Sequence, residues 1–195
     1  MAHAPRKLAK QSRSRATSAA IVEAAARILE TAGADGLTTN RIAERAGVSI
    51  GSLYQYFPDK KAVLAALLRR EWEDLEARIR EAGADTDDPR AAISGIVDIA
   101  LAHQFARPRL ALELEYLERG LDLDDEMAAL ASRLAEAVES AVAAYRPDAD
   151  ADATAAADVV TICRALINEA ALRGDVAPKD LKARVMRAVF GYLEA

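Results

Sequence analysis

The chain has 195 residues, 52% apolar and 29% charged, a balance that suits a globular protein with a sizeable core and excludes a disordered chain. Alanine supplies roughly a quarter of the residues against 5% aromatics, six prolines and nine glycines, which favours helices and argues against an all-β fold. The net charge of −5 is divided: residues 1–61 hold ten Lys/Arg and five Asp/Glu, whereas residues 62–195 hold sixteen and twenty-six, so the basic third is the part suited to a polyanion.

Residues 1–15 carry Arg6, Lys7, Lys10, Arg13 and Arg15 without an acid and with few apolar residues, so a disordered basic arm is expected there. A first helix starts within Ser14–Thr17, places Ile21, Ala25, Ile28, Leu29 and Ala32 on one face, and stops at Gly33. Thr38 or Thr39 caps a short second helix with Ile42, Ala43 and Ala46 inward, and Gly47 marks a tight turn. A third short helix begins at Ser49 and ends before Pro58. Asp59 caps a long fourth helix with a stripe of Leu64, Leu67, Leu68, Leu75 and Ile79, up to a polar break over Gly83–Asp88. Pro89 opens a fifth helix, Pro108 a sixth, and the region of Asp124 a seventh that reaches Tyr145. After an acidic loop over Pro147–Asp152, an eighth helix spans about Thr154–Leu172, and a ninth runs from Pro178 to Leu193. No strand or hairpin pattern interrupts this series.

The stretch Leu37–Lys61 has the form of a helix-turn-helix. Small Ala43 lets the two helices cross closely, and Gly47 permits the left-handed backbone a short turn needs. Projected at about 100° per residue, Leu53 and Phe57 face inward and Gln55 lies opposite, flanked by Gly51 and Ser52. The outward face is therefore small, polar and uncharged, where a merely solvated helix would carry Lys or Glu. Such a face suits the DNA major groove: Gln55 matches adenine, Ser52 offers a donor or an acceptor, and Gly51 allows close approach. Tyr54 and Tyr56 sit at its edges, within reach of phosphates, while Ile50 suits either the core or a thymine methyl. Lys60 and Lys61 occupy the first turn of the fourth helix, a position unfavourable for cations unless an anion binds there.

The run IAERAGVSIGSLYQYFPDKKAVL resembles the N-terminal signature of the TetR family of bacterial transcriptional regulators. The matching residues are Ile42-Ala43, Ala46-Gly47-Val48-Ser49, Gly51, Leu53-Tyr54, Tyr56-Phe57, Lys60 and Leu64, within about residues 16–65. The resemblance implies that Tyr54 and Lys60 clamp phosphates, and that Thr39 and Arg41 contact the backbone or groove edge. It also implies a reading surface of Ser49, Ile50, Gly51, Ser52, Gln55 and Tyr56. Ser18 departs from the Arg or Lys that many members carry near the start of the first helix; Arg13 and Arg15 are the available substitutes.

The expectation is thus an all-α protein of about nine helices: a basic arm (1–15), a three-helix helix-turn-helix DNA-binding domain (16–61), and a helical effector-binding and dimerisation domain (62–195). By resemblance it is a homodimeric regulator, a repressor released from a near-palindromic double-stranded DNA operator by a small-molecule ligand. The broad apolar faces of the last two helices suit a four-helix dimer seam. His103, Arg107, Glu113, Glu115 and Tyr116, polar residues in two otherwise apolar helices, are candidates for orienting the ligand, and Cys163 is a further pocket candidate that also reads as a small buried hydrophobe. The lone cysteine excludes an intramolecular disulfide and a Cys-based zinc site, and no cofactor or metal is expected. With two histidines, no phosphate loop and no nucleophile elbow, the chain does not read as an enzyme. No apolar run nears the roughly 18 residues of a membrane span, and the basic N-terminus lacks a signal-peptide core, so a cytoplasmic protein is expected. The rival reading is a helical dimer serving as a protein-interaction scaffold.

Overall fold

The computed structural model describes residues 6–83, 86–118, 124–146, 154–174 and 179–195. Among these the chain forms nine α-helices and one turn of 3-10 helix, with no strand. The helices are α1 (Arg6–Ala32), α2 (Thr39–Ala46), α3 (Ile50–Tyr56), α4 (Lys60–Gly83), α5 (Pro89–Ala106), α6 (Pro108–Glu118), α7 (Asp124–Tyr145), α8 (Ala155–Leu172) and α9 (Lys179–Leu193), with the 3-10 turn at Ala34–Gly36. They make two compact units: Met1–Arg69 with Glu113–Leu121, and Arg70–Leu112 with Asp122–Ala195. The division falls inside α4 and α6 rather than in a linker. The acidic loop at 147–152 and the expected helix start at Pro178 lie outside the described residues.

In the N-terminal unit, α1 packs on α2 and α2 on α3. Ile21, Ala25, Ile28 and Leu29 of α1, Ile42 and Ala43 of α2, Leu53 of α3, and Val63 and Leu67 of α4 are all buried in this unit. Leu53 is fully buried, worth about 1.5–3 kcal/mol for such a side chain. The caps are local: Thr38 Oγ1 accepts the Arg41 N–H at 3.3 Å, and Asp59 Oδ1 accepts the Ala62 N–H at 2.8 Å. Gly47 ends α2 at φ 67°, ψ 31°, the left-handed conformation. One element differs from expectation: α1 begins at Arg6, inside the segment expected to be a disordered arm. Leu8, Ala9 and the Lys, Arg and Gln around them are strong helix formers, so an existing helix extends through them at little cost.

The C-terminal unit packs α5, α7, α8 and α9 against one another. Its core joins Ile79 of α4, Ile93, Ile96 and Val97 of α5, Leu134 and Val138 of α7, Val159, Cys163 and Ile167 of α8, and Val185 and Val189 of α9. Asp88 caps α5 by accepting the Arg90 N–H at 3.0 Å. The Arg90 guanidinium lies 3.9 Å from the Phe190 ring centroid and donates to the Tyr145 hydroxyl at 3.0 Å, while that hydroxyl donates to Glu194 at 2.6 Å. This group fastens the ends of α5, α7 and α9 together. The guanidinium of Arg164 covers the Trp72 ring at 5.3 Å from its centroid.

Candidate nucleic-acid interface

Helix α3 presents two sides. Leu53 and Phe57 are buried, whereas Ile50, Gly51, Tyr54 and Gln55 are exposed and Ser52 and Tyr56 are half-buried. Ile50 is 39% exposed and Tyr54 51%, large apolar surface for so short a helix. The Ser49 hydroxyl accepts the Ser52 N–H at 3.0 Å and lies 2.8 Å from the Ser52 hydroxyl, so Ser49 serves as the α3 cap as well as standing at the edge of the face. The Tyr54 hydroxyl is 3.3 Å from the Thr39 hydroxyl, which ties the exposed edge of α3 to the start of α2. Lys60 and Lys61 are exposed at the start of α4, beside the Ala62 N–H that Asp59 already occupies. Arg13 and Arg15 are exposed on α1. Arg41 is exposed too, but its Nη1 donates to the Gly36 carbonyl at 2.8 Å, an internal contact the sequence did not suggest.

The ligand candidates fall in different surroundings. His103 is half-buried on α5; burial pushes its imidazole below the ordinary value, opposed by the Glu71 and Asp74 carboxylates. Arg107 follows the end of that helix and is half-buried. Cys163 belongs to the α8 core stripe with Val159 and Ile167, and burial pushes its thiol up to about 12. Tyr116 is in the N-terminal unit and 76% exposed. One residue missed by the sequence reading is Gln104. It lies on the buried α5 stripe with Ile93, Ile96 and Val97, and its Nε2 has no hydrogen-bond partner among the described residues. A glutamine seven residues after Val97 on an apolar stripe was the available signal. Glu113, expected to orient a ligand, instead belongs to the N-terminal unit, where its carboxylate accepts the N–H of Ala34, 79 residues away in sequence.

Fold and face define a protein with a helix-turn-helix head joined to an apolar-cored helical body. The family model for bacterial regulatory proteins of the tetR family matches residues 21–67, the α1–α4 part of the head. The HTH-type transcriptional regulator BetI of Burkholderia thailandensis is 36% identical over 80 residues, 40% of this chain and 41% of that protein. The match thus spans about two fifths of the length of the curated relatives. Two solved structures share the fold over most of both chains. A TetR family transcription regulator from Marinobacter aquaeolei has a TM-score of 0.73 at 18% identity, covering 93% of this chain and 97% of that one. A TetR-family transcriptional regulator from Bordetella parapertussis has a TM-score of 0.65 at 25% identity, covering 88% and 93%. Residues 21–67 thus match the tetR-family model, and the chain shares the fold of solved TetR family regulators.

Proposed function

We propose that this protein is a homodimeric, cytoplasmic transcriptional regulator, a repressor that binds a near-palindromic operator and leaves it when a small molecule enters the C-terminal unit. The observation that carries the reading is the α3 face: exposed, uncharged Ile50, Gly51, Tyr54 and Gln55 above the buried pair Leu53 and Phe57. Lys60 and Lys61, with Arg13 and Arg15, are exposed cations of the same unit and supply phosphate-binding charge. Two half-sites need two heads, which supports a dimer. The outer sides of α8 and α9 favour its seam there: Ala157, Ala165, Ala183 and Gly191 are small and exposed, with half-buried Leu166 and Met186 beside them. Effector release is supported by Gln104, whose buried, unpartnered amide donor suits a ligand bearing a carbonyl or other acceptor. The scaffold reading leaves the uncharged α3 face without a purpose.

The test is fluorescence anisotropy of the purified protein against its own upstream intergenic DNA, with a scrambled duplex alongside and salt as the second variable. Selective, salt-steep binding at two subunits per site is the expected result. Equal, weak binding to every duplex tried, by a protein that light scattering shows to be monomeric, would overturn the proposal.

A further inference from the structure

The Glu113 carboxylate of α6 lies against the turn that follows α1. Its Oε2 accepts the Ala34 N–H at 2.9 Å. A Cβ added to Gly33 would stand 2.9 Å from Oε1 and 3.5 Å from Cδ, so the carboxylate occupies the space a side chain there would need. Gly33 also has φ 66° and ψ −172°, a conformation essentially confined to glycine. Backbone shape and close approach thus both suit glycine at the point where Glu113 docks.

The turn passes this restraint onward. The Gly36 N–H donates to the Gly33 carbonyl at 3.2 Å, and the Leu37 N–H to the Ala34 carbonyl at 3.1 Å. The Gly36 carbonyl then accepts Arg41 Nη1 at 2.8 Å, and a Cβ on Gly36 would sit 2.8 Å from that nitrogen. Arg41 is in the first turn of α2, its own N–H held by Thr38. From the same turn the Thr39 hydroxyl meets Tyr54 on the exposed face of α3. A series of polar contacts therefore runs from Glu113 through the 3-10 turn and the start of α2 to the edge of the reading face, all within the N-terminal unit.

We infer that Glu113 is a positioning residue for DNA recognition: by bonding the Ala34 N–H it fixes the α1–α2 turn, and through Arg41 and the start of α2 it sets the reading face. The inference rests on the DNA-binding function proposed above. It makes a prediction opposite to simple electrostatics. Removing an acid from a DNA-binding unit tightens DNA binding through charge alone, whereas removing this positioning contact weakens it.

The experiment uses the full-length protein with Glu113→Ala and Glu113→Gln. Amide hydrogen exchange at Ala34, Gly36 and Leu37 reads the turn, and anisotropy against the upstream duplex and its scrambled control reads DNA binding. For Glu113→Ala, exchange at Ala34 should rise about tenfold and selective affinity fall about five- to tenfold, the scale of one lost hydrogen bond of ordinary strength. Glu113→Gln keeps an acceptor oxygen while losing the charge, so it should hold affinity at or above wild type. A Glu113→Ala protein with wild-type affinity, or with unchanged exchange at Ala34, would overturn the inference. So would a Glu113→Gln variant as weak as Glu113→Ala. Wild-type protein that shows no selective binding at all would instead overturn the DNA-binding function itself, a distinct result.

Discussion

Gly47 offers a backbone perturbation whose cost can be separated from crowding. Its φ of 67° and ψ of 31° lie in the left-handed region, where a residue with a Cβ pays roughly 1–2 kcal/mol. A Cβ there would meet nothing within 4 Å, so Gly47→Ala carries the conformational term alone. The Gly47 N–H to the Glu44 carbonyl (3.1 Å) and the Val48 N–H to the Ala43 carbonyl (3.0 Å) can both persist if the conformation is kept. Gly47→Asn should cost about half as much, since asparagine tolerates this region. Gly47→Val should cost the most, because a β-branched side chain resists positive φ. Amide exchange at Val48 and Leu53 reads the head directly. The Ala variant should speed exchange roughly 5- to 30-fold, the ratio that corresponds to about 1–2 kcal/mol. Wild-type exchange in Gly47→Ala, or an Asn variant worse than the Ala variant, would refute the argument.

Three further outcomes are expected. Lys60→Ala should weaken binding to every DNA sequence alike and lower the salt slope by about 1, measured by anisotropy across salt; a sequence-dependent loss would contradict a phosphate contact. Gln55→Ala should relax discrimination at one base pair per half-site, by about 1–3 kcal/mol, in a panel of singly substituted duplexes, and unchanged selectivity would remove Gln55 from the reading set. Cys163, whose thiol burial raises from 9.0 to about 12, should resist thiol reagents in the native protein at pH 8 and react fully in urea. The unfolded thiol ionises first, so its contribution to stability should be present below pH 9 and fall as pH climbs from there towards about 12. Rapid labelling of the native protein at pH 8 would contradict this.

The two sides of α3 were legible because a short helix with Leu53 and Phe57 four residues apart has little freedom in how it faces its core. The Gly47 turn was legible for a similar local reason: a small residue, a glycine and a hydroxyl cap fall within a few positions. What escaped was nonlocal or required a projection along a longer helix. Nothing near Glu113 in sequence points to Ala34, and nothing near Arg41 marks the Gly36 carbonyl as its acceptor. Tyr116 looked like a pocket residue in an apolar run, yet the buried residues of α6 are Leu110 and Leu114, and two positions beyond Leu114 is the opposite side of a helix. Gln104 could have been noticed, since it continues the stripe of Ile93 and Val97; polar identity hid its burial. The start of α1 was misplaced because basic charge suggested a free arm, while the helix propensity of the same residues favours extension to Arg6.

The placement of Trp72 under the Arg164 guanidinium has an optical consequence. It is the chain's sole tryptophan, and it belongs to the C-terminal unit. Its emission therefore reports the body and not the helix-turn-helix head. A denaturation curve followed by tryptophan fluorescence tracks the loss of one unit, whereas ellipticity at helical wavelengths tracks both. The lag between the two traces measures how independently the head melts.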